Sequence, residues 1–337
     1  MSAMNRIVVV GASLAGLRAV EFIRRAKFDG NLVLVGDESR LPYDRPPLSK
    51  EVLREAIDEE RLALRRKSYD DLQVELVLGQ PAVALDTAAR EIGLAGGRTI
   101  PFDGLVIATG GRARSLPNQP ELVGLHTLRT LDDALAIRNS LTGGGRVAVI
   151  GAGFIGAEVA ASARQMGLEV TMIEALETPL GQSLGPRLGR ILQEIHERHG
   201  VTVRCGRRVE RFEGTEHITS VVLNDGTRVE CETAVVGIGM IPAVAWLEGS
   251  GVDIEDGIRC DETLATNVPR IVAAGDVASW HNPLFDERMR IEHWTNAVEQ
   301  SRHAVGTLLA EPGQASSFES VPLFWSDQYD LKIQGVG

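Results

Sequence analysis

Arg6-Ile-Val-Val-Val-Gly11-Ala-Ser13-Leu-Ala15-Gly16 is a β-branched apolar run that breaks into a glycine-rich turn. The pattern returns 140 residues later as Arg146-Val-Ala-Val-Ile-Gly151-Ala-Gly153-Phe154-Ile155-Gly156. After each turn the apolar spacing predicts a helix, over residues 17–26 and 157–166. After each helix a second apolar strand follows, at 32–35 and 170–173. A strand–turn–helix–strand unit used twice implies parallel sheets joined by right-handed crossovers. The expected fold class is therefore α/β, with two Rossmann-like (βαβ) dinucleotide-binding domains.

The residue types in these turns point to a pyrophosphate. The first glycine allows a tight turn with positive φ. The second lets the backbone approach the ligand, and the third lets helix and strand pack closely. The helix N-terminus then faces the phosphates. An acidic residue closing the second strand can bind a ribose hydroxyl, and Asp37 and Glu174 stand 26 and 23 residues after Gly11 and Gly151. The second copy of the motif is complete, whereas the first has the small residue Ser13 in place of its middle glycine. Two further apolar strands end in glycine turns, Leu105-Val-Ile-Ala-Thr-Gly-Gly111 and Ile271-Val-Ala-Ala-Gly-Asp276. Asp276 can reach a polyol hydroxyl at the mouth of a sheet or cap a helix.

Composition narrows the function classes. The chain has 337 residues, 44% of them hydrophobic, which suits about two ordinary cores. The longest apolar runs fall short of a membrane span. A net charge of −11, from 35 basic and 46 acidic residues, gives no general attraction to phosphate backbones, so neither nucleic acid nor membrane is expected as a partner. Cys205, Cys231 and Cys260 form no CxxC pair and are expected to be reduced and structural. Gly11, Ser13 and Gly16 interrupt the N-terminal apolar stretch, and no A-x-A cleavage site follows, which argues against a secretion signal.

Longer motifs make the reading specific. Leu41-Pro-Tyr-Asp-Arg-Pro-Pro-Leu-Ser-Lys50, Leu128-Arg129-Thr-Leu-Asp-Asp133, Ala274-Gly-Asp276, Glu292-His-Trp294-Thr-Asn-Ala and Phe324-Trp325-Ser-Asp-Gln-Tyr329 occur in order along the chain. Together with the two glycine turns, this set resembles the two-dinucleotide flavoprotein reductases. More narrowly, it is similar to the FAD-dependent NADH reductases of ferredoxins, rubredoxin and putidaredoxin, the branch without redox-active cysteines.

The resemblance implies FAD on a discontinuous domain of about residues 1–112 and 244–318, and NADH on an inserted domain of about 113–243. Gly11, Ser13, Ala15 and Gly16 would hold the FAD pyrophosphate and Asp37 its ribose. Val83 and Arg129 match adenine- or phosphate-side contacts. Asp276 matches the carboxylate on the ribityl chain, and Trp294 a backbone contact to the flavin ring. Lys50 would lie beside that ring, where a cation favours the reduced, anionic form. Gly151, Gly153, Phe154, Ile155 and Gly156 would form the NADH turn, with Gly239 closing over the nicotinamide. Glu158 matches a carboxylate near the nicotinamide and the lysine, so Lys50 and Glu158 are the candidate catalytic pair. A Glu174 carboxylate would repel the 2′-phosphate of NADPH.

The implied activity is the passage of electrons from NADH through FAD to a small ferredoxin- or rubredoxin-like iron–sulfur protein, feeding an oxygenase. The expected protein is a cytoplasmic monomer or weak dimer with no metal of its own. The alternative is an NADH-responsive flavoprotein that works as a redox sensor or binding module. Residues 38–60 contain no cysteine, which argues against the disulfide-reductase and peroxidase branches. Arg288, Arg290 and Arg302 are candidates for a basic patch that docks an acidic carrier, and His293 is a candidate neighbour of the flavin. Relatives continue beyond Phe-Trp-Ser-Asp-Gln as a further α+β domain, so residues 319–337 read as the start of a shortened one. Its last strand is expected to lack sheet partners and leave an open edge.

Overall fold

The computed structural model describes residues 4–311 and 313–337. Both glycine motifs sit at the centre of a five-stranded, all-parallel sheet. In the first sheet, Arg6–Val10 is flanked on one side by Asn31–Val35 and Val74–Val77. On the other side lie Gly104–Ile107 and Ile271–Ala273. In the second sheet Arg146–Ile150 is flanked by Glu169–Ile173 and Val201–Arg204, and opposite them by Thr233–Val236 and Leu125–Thr127.

The strand order is the same in both sheets, but the outermost strands have different origins. In the first sheet the strand beyond Gly104–Ile107 arrives from 164 residues downstream (271 minus 107). In the second the strand beyond Thr233–Val236 comes from upstream, before the glycine motif. Ile7, Val8, Val9, Leu105, Val106, Ile107, Ala148, Val149 and Ala234 are all buried, as expected for parallel strands covered on both faces.

The helices after the glycine turns run over Leu14–Arg25 and Phe154–Gln165, each starting three residues earlier than the periodicity suggested. The reason is local. The last glycine of each motif already belongs to the first helical turn, and its apolar neighbours mask the start of the pattern. Among the described residues no helix is long and apolar enough to cross a membrane.

The C-terminal strand differs from expectation. Leu331–Val336 pairs antiparallel with Leu323–Gln328 in a hairpin, so it has a partner. That hairpin packs against Phe154–Gln165 and against the helix Trp294–Leu309. Trp280, fully buried, donates its indole N–H to Phe318 O at 3.2 Å and anchors the approach to the hairpin.

Candidate functional site

The carboxyl ends of the central strands, the loop 41–50, the N-terminus of Trp294–Leu309 and the C-terminal hairpin surround one cleft of about 520 Å³. A crevice at the carboxyl ends of parallel strands is where an open α/β sheet binds its ligand.

The first glycine turn forms one end of the cleft. Gly11 has φ +115°, and a Cβ there would stand 2.1 Å from Ala108 O. A Cβ on Gly16 would strike Gly11 O, so strand and helix touch with nothing between them. Ser13 occupies the cap position of Leu14–Arg25, yet its hydroxyl makes no capping bond and instead faces Arg45 Nε at 3.3 Å. The helix N-terminus thus keeps its N–H groups and partial positive charge directed at the cleft. Asp37 and Glu38 lie at the end of the neighbouring strand and line the same end. Across the cleft Arg129 Nη2 donates to Asp276 Oδ2 at 3.0 Å, while Arg129 Nε is buried and meets no protein acceptor. An uncapped helix start, a guanidinium N–H without a partner and a carboxylate beyond it fit a pyrophosphate followed by a polyol. These residues therefore fit FAD.

The loop 41–50 wraps the cleft and carries residues whose importance the motif alone does not assign. Arg45 donates to Glu38 Oε1 at 2.7 Å and to Arg129 O at 2.5 Å, and lies over the Tyr43 ring. Tyr43 donates to Glu38 Oε2 at 2.5 Å. Asp44 accepts the Trp294 indole N–H at 2.9 Å. Burial raises the Asp44 carboxyl above its ordinary range, opposed by that bond and by the charge of Lys50. A half-buried arginine in a proline-bounded loop needs an anionic partner, and that requirement was the available sign that Glu38, beside Asp37, takes part.

The loop ends on a buried pair. Lys50 Nζ lies 3.1 Å from Glu158 Oε2, although 108 residues separate them in sequence. Their side chains are only 10% and 8% exposed. Glu158 is not a solvated helix residue. Ser49 donates to its Oε2 at 2.5 Å and Ser326 to its Oε1 at 2.7 Å. The Ser162 hydroxyl holds the Ser49 carbonyl at 2.8 Å, which fixes the loop to the helix bearing Glu158.

The second glycine turn approaches the same cleft. Gly151 has φ +94°, and a Cβ there would stand 2.3 Å from Gly237 O. Gly153 caps Phe154–Gln165 without a side-chain bond and has open space on its Cβ side, as a pyrophosphate approach requires. Phe154 and Ile155 line the cleft beside Lys50, with Ile155 exposed. Glu174 accepts Ala152 N at 2.7 Å and Leu176 N at 2.8 Å, so it braces the turn as well as presenting negative charge. Gly239 follows the strand beside Gly151 with φ +95°; its carbonyl accepts Arg114 N.

The remaining expectations divide. Trp325 and Phe324 of the hairpin reach the cleft, with Trp325 edge-on to Trp294 at 6.3 Å and Phe324 5.0 Å from Phe154. His293 lines the cleft with its Nδ1 buried and unpartnered, and burial lowers its pKa against the pull of Asp276. Val83 lies away from this cleft, exposed at an irregularity in the strand Ala82–Asp86. The basic patch does not form as expected. Arg288 donates to the carbonyls of Cys260 and Ser279, and Arg290 is paired with Asp256 and Glu292, while Arg302 is exposed. Arg288 and Arg290 each find acceptors among the residues packed beside them, which a count of charges along the sequence does not reveal. The three cysteines are free, and none lines the cleft. Burial pushes the Cys231 and Cys260 thiols up to about 12.

Comparison with known proteins gives a consistent picture. Residues 5–301 match the family model described as pyridine nucleotide-disulphide oxidoreductase. Rhodocoxin reductase of Rhodococcus erythropolis is 38% identical over 334 residues, covering 98% of this chain and 78% of the relative. The ferredoxin–NAD(+) reductase component of the anthranilate 1,2-dioxygenase system of Burkholderia cepacia is 37% identical, with 98% and 81% covered. Among solved structures, the covalent putidaredoxin reductase–putidaredoxin complex matches with a TM-score of 0.94 at 35% identity, covering 100% of this chain and 82% of that one.

Proposed function

The chain belongs to the pyridine nucleotide-disulphide oxidoreductase family, and on that premise we propose that it is a ferredoxin–NAD(+) reductase whose acceptor is a small ferredoxin-type carrier serving an oxygenase. The observation that carries this reading is the buried Lys50–Glu158 pair at the meeting point of both glycine turns, in a cleft without a thiol. A disulfide reductase of this fold needs sulfur there. The reductase relatives also favour catalysis over a redox-sensing role.

Two cofactors are used, FAD and NADH. Bound FAD would supply the redox chemistry, hydride acceptance from NADH and release of electrons one at a time. The protein binds, orients and shields. In this reading Gly11, Ser13, Ala15 and Gly16 hold the FAD pyrophosphate with Arg129, while Asp37 and Asp276 take its ribose and ribityl hydroxyls. Val83, which lies outside the cleft, is kept as an adenine-side contact on the resemblance alone. Gly151, Gly153, Phe154, Ile155, Gly156 and Gly239 seat NADH. Lys50 and Glu158 are the cofactor-facing catalytic pair, and Trp294 and Trp325 exclude water from the reacting faces. The domains are assigned to about 1–112 with 244–318 for FAD and 113–243 for NADH. We place the protein in the cytoplasm, where a soluble pyridine nucleotide pool supplies it.

Anaerobic stopped-flow absorbance near the flavin band tests this. NADH is expected to bleach the yellow holoprotein quickly and NADPH slowly, and added ferredoxin should restore the colour. A holoprotein that neither nucleotide bleaches would end the reductase reading.

Nucleotide choice gives a second prediction. Removing the carboxylate in Glu174→Ser is expected to narrow the NADH preference by about tenfold or more, the equivalent of ~1.4 kcal/mol. NADH itself also loses some efficiency, because Ala152 N loses its acceptor. Steady-state kcat/KM for both nucleotides decides it. An unchanged ratio would remove Glu174 from discrimination.

A further inference from the structure

Beyond the cleft, Glu158 is the end of a buried hydrogen-bond chain that crosses three elements. Ser326, which donates to Glu158 Oε1, accepts from Gln328 Nε2 at 3.1 Å. Gln328 Oε1 stands 3.0 Å from Nε2 of His196, and His196 Nδ1 stands 2.9 Å from the Tyr329 hydroxyl. Ser326, Gln328 and His196 are all buried. Directions are forced along this chain. The carboxylate can only accept, so Ser326 donates to it and must accept from the Gln328 amide N–H. That leaves the Gln328 carbonyl as an acceptor, so His196 must carry its proton on Nε2. Its bare Nδ1 then accepts from Tyr329. Every dipole points toward Glu158.

The hairpin tip supports a specific role for Tyr329. Gln328 pairs directly with Leu331, so Tyr329 and Asp330 form a two-residue turn. Tyr329 has φ +57° in the first turn position, where glycine is the favoured residue. A tyrosine tolerates this backbone only when its side chain gains elsewhere. Here its ring stacks on His199 at 3.7 Å and 8°, and its hydroxyl reaches His196.

We propose that His196 is a positioning residue for Glu158, acting through Gln328 and Ser326 to commit one carboxylate oxygen to the hairpin and leave the other for Lys50. The proposal rests on the reading of Glu158 as cofactor-facing. His196 also ties the helix Gly181–Arg198 to the hairpin that carries Phe324 and Trp325, so the same contact holds the cleft wall and the catalytic carboxylate in register. Burial pushes the His196 imidazole down to about 4, opposed by the Gln328 bond and assisted by His199, so it stays in the neutral form the chain requires. The other charged or titratable groups around this pair are Tyr329 on the hairpin and Arg164, which acts on Tyr329 from the helix Phe154–Gln165.

Two-bond ¹H–¹⁵N spectra of the labelled holoprotein test the chain directly. His196 is expected to show a protonated Nε2 and a bare Nδ1, with no titration from pH 8 to 5. A proton on Nδ1, or a midpoint near the ordinary histidine value, overturns the proposal. Kinetics supply the second arm. His196→Asn keeps a group toward Tyr329 but cannot reach Gln328, whereas His196→Gln places an amide N–H where Nε2 stood. His196→Asn is expected to lower the limiting rate of flavin bleaching about tenfold or more with half-saturating NADH unchanged, as a misplaced group does. His196→Gln is expected to recover most of that rate. Equal rates in both variants, or a change confined to melting temperature, would overturn it. If His196→Asn does not fold, the tautomer alone decides. A wild-type protein that NADH fails to bleach would fault the functional reading instead, leaving the tautomer to judge this chain.

Discussion

Gly11→Ala is expected to purify colourless, and Gly151→Ala to purify yellow yet resist bleaching by NADH. Both substitutions add a methyl group at a positive φ, against a carbonyl oxygen 2.1 Å away in one case and 2.3 Å in the other. The backbone must shift, because the obstacle is main chain just past a strand and not the end of a flexible side chain. Crowding and left-handed strain together cost about 3 kcal/mol or more, over a hundredfold in affinity for whatever the turn holds. The two turns are equivalent in shape, so the colour of the variants assigns each to its dinucleotide. Visible absorbance of the purified proteins and an anaerobic NADH titration read the outcome. A yellow Gly11→Ala beside a colourless Gly151→Ala would reverse the assignment of FAD and NADH.

Lys50→Met is the other substitution with a large expected effect. It leaves the Glu158 carboxylate buried with only Ser49 and Ser326 as donors. Breaking a buried ion pair from one side costs about 3–5 kcal/mol, since the remaining charge has lost its partner without gaining water. The rate of flavin reduction is expected to fall on the order of a hundredfold, the size associated with removing one preorganised electrostatic contact. Glu158→Gln should be milder in stability, because Lys50 still faces the charge of Asp44. Combining Lys50→Met with Glu158→Gln should recover much of the lost stability, with a coupling energy of about 1–3 kcal/mol. Thermal or urea unfolding of the four proteins measures it. Strict additivity would mean that the pair contributes nothing as a pair.

Much of the fold was legible because its decisive features are local. A tight βα turn needs particular glycines within a few residues, and a parallel strand buried on both faces reads as a continuous apolar run. Both glycine turns, the strands 32–35 and 170–173, and the strand at Ile271 could therefore be located one segment at a time. The helix starts were read three residues late because the turn and the first helical residues share the same small, apolar composition. The missing dithiol was equally legible, since three widely spaced cysteines leave few options.

The site was legible in its parts but not in its joints. Lys50 and Glu158 could each be singled out, yet neither Ser49 nor Ser326 could be assigned to the carboxylate. A serine hydroxyl carries no sequence signal for a partner 109 or 168 residues away. The arginines failed in the opposite sense. Arg288 and Arg290 looked available in sequence, but backbone carbonyls and a carboxylate packed beside them supply their acceptors. The expected lack of a strand partner failed too, since Leu331–Val336 turns back on its own neighbour, while the outer edge of this two-stranded hairpin stays open among the described residues.

By itself, the sequence determined that this protein has two βαβ nucleotide turns, an acidic residue after the second strand of each, and no closely spaced cysteine pair for disulfide chemistry. Those properties depend on backbone torsions and residue types within one short segment. Only the tertiary structure decided which distant strands complete each sheet, that Lys50 meets Glu158, and that His196 stands at the far end of the same chain of hydrogen bonds. Such pairings arise when helices and hairpins from remote parts of the chain pack together. Burial then obliges each polar group to find a partner among the atoms that packing brings within reach.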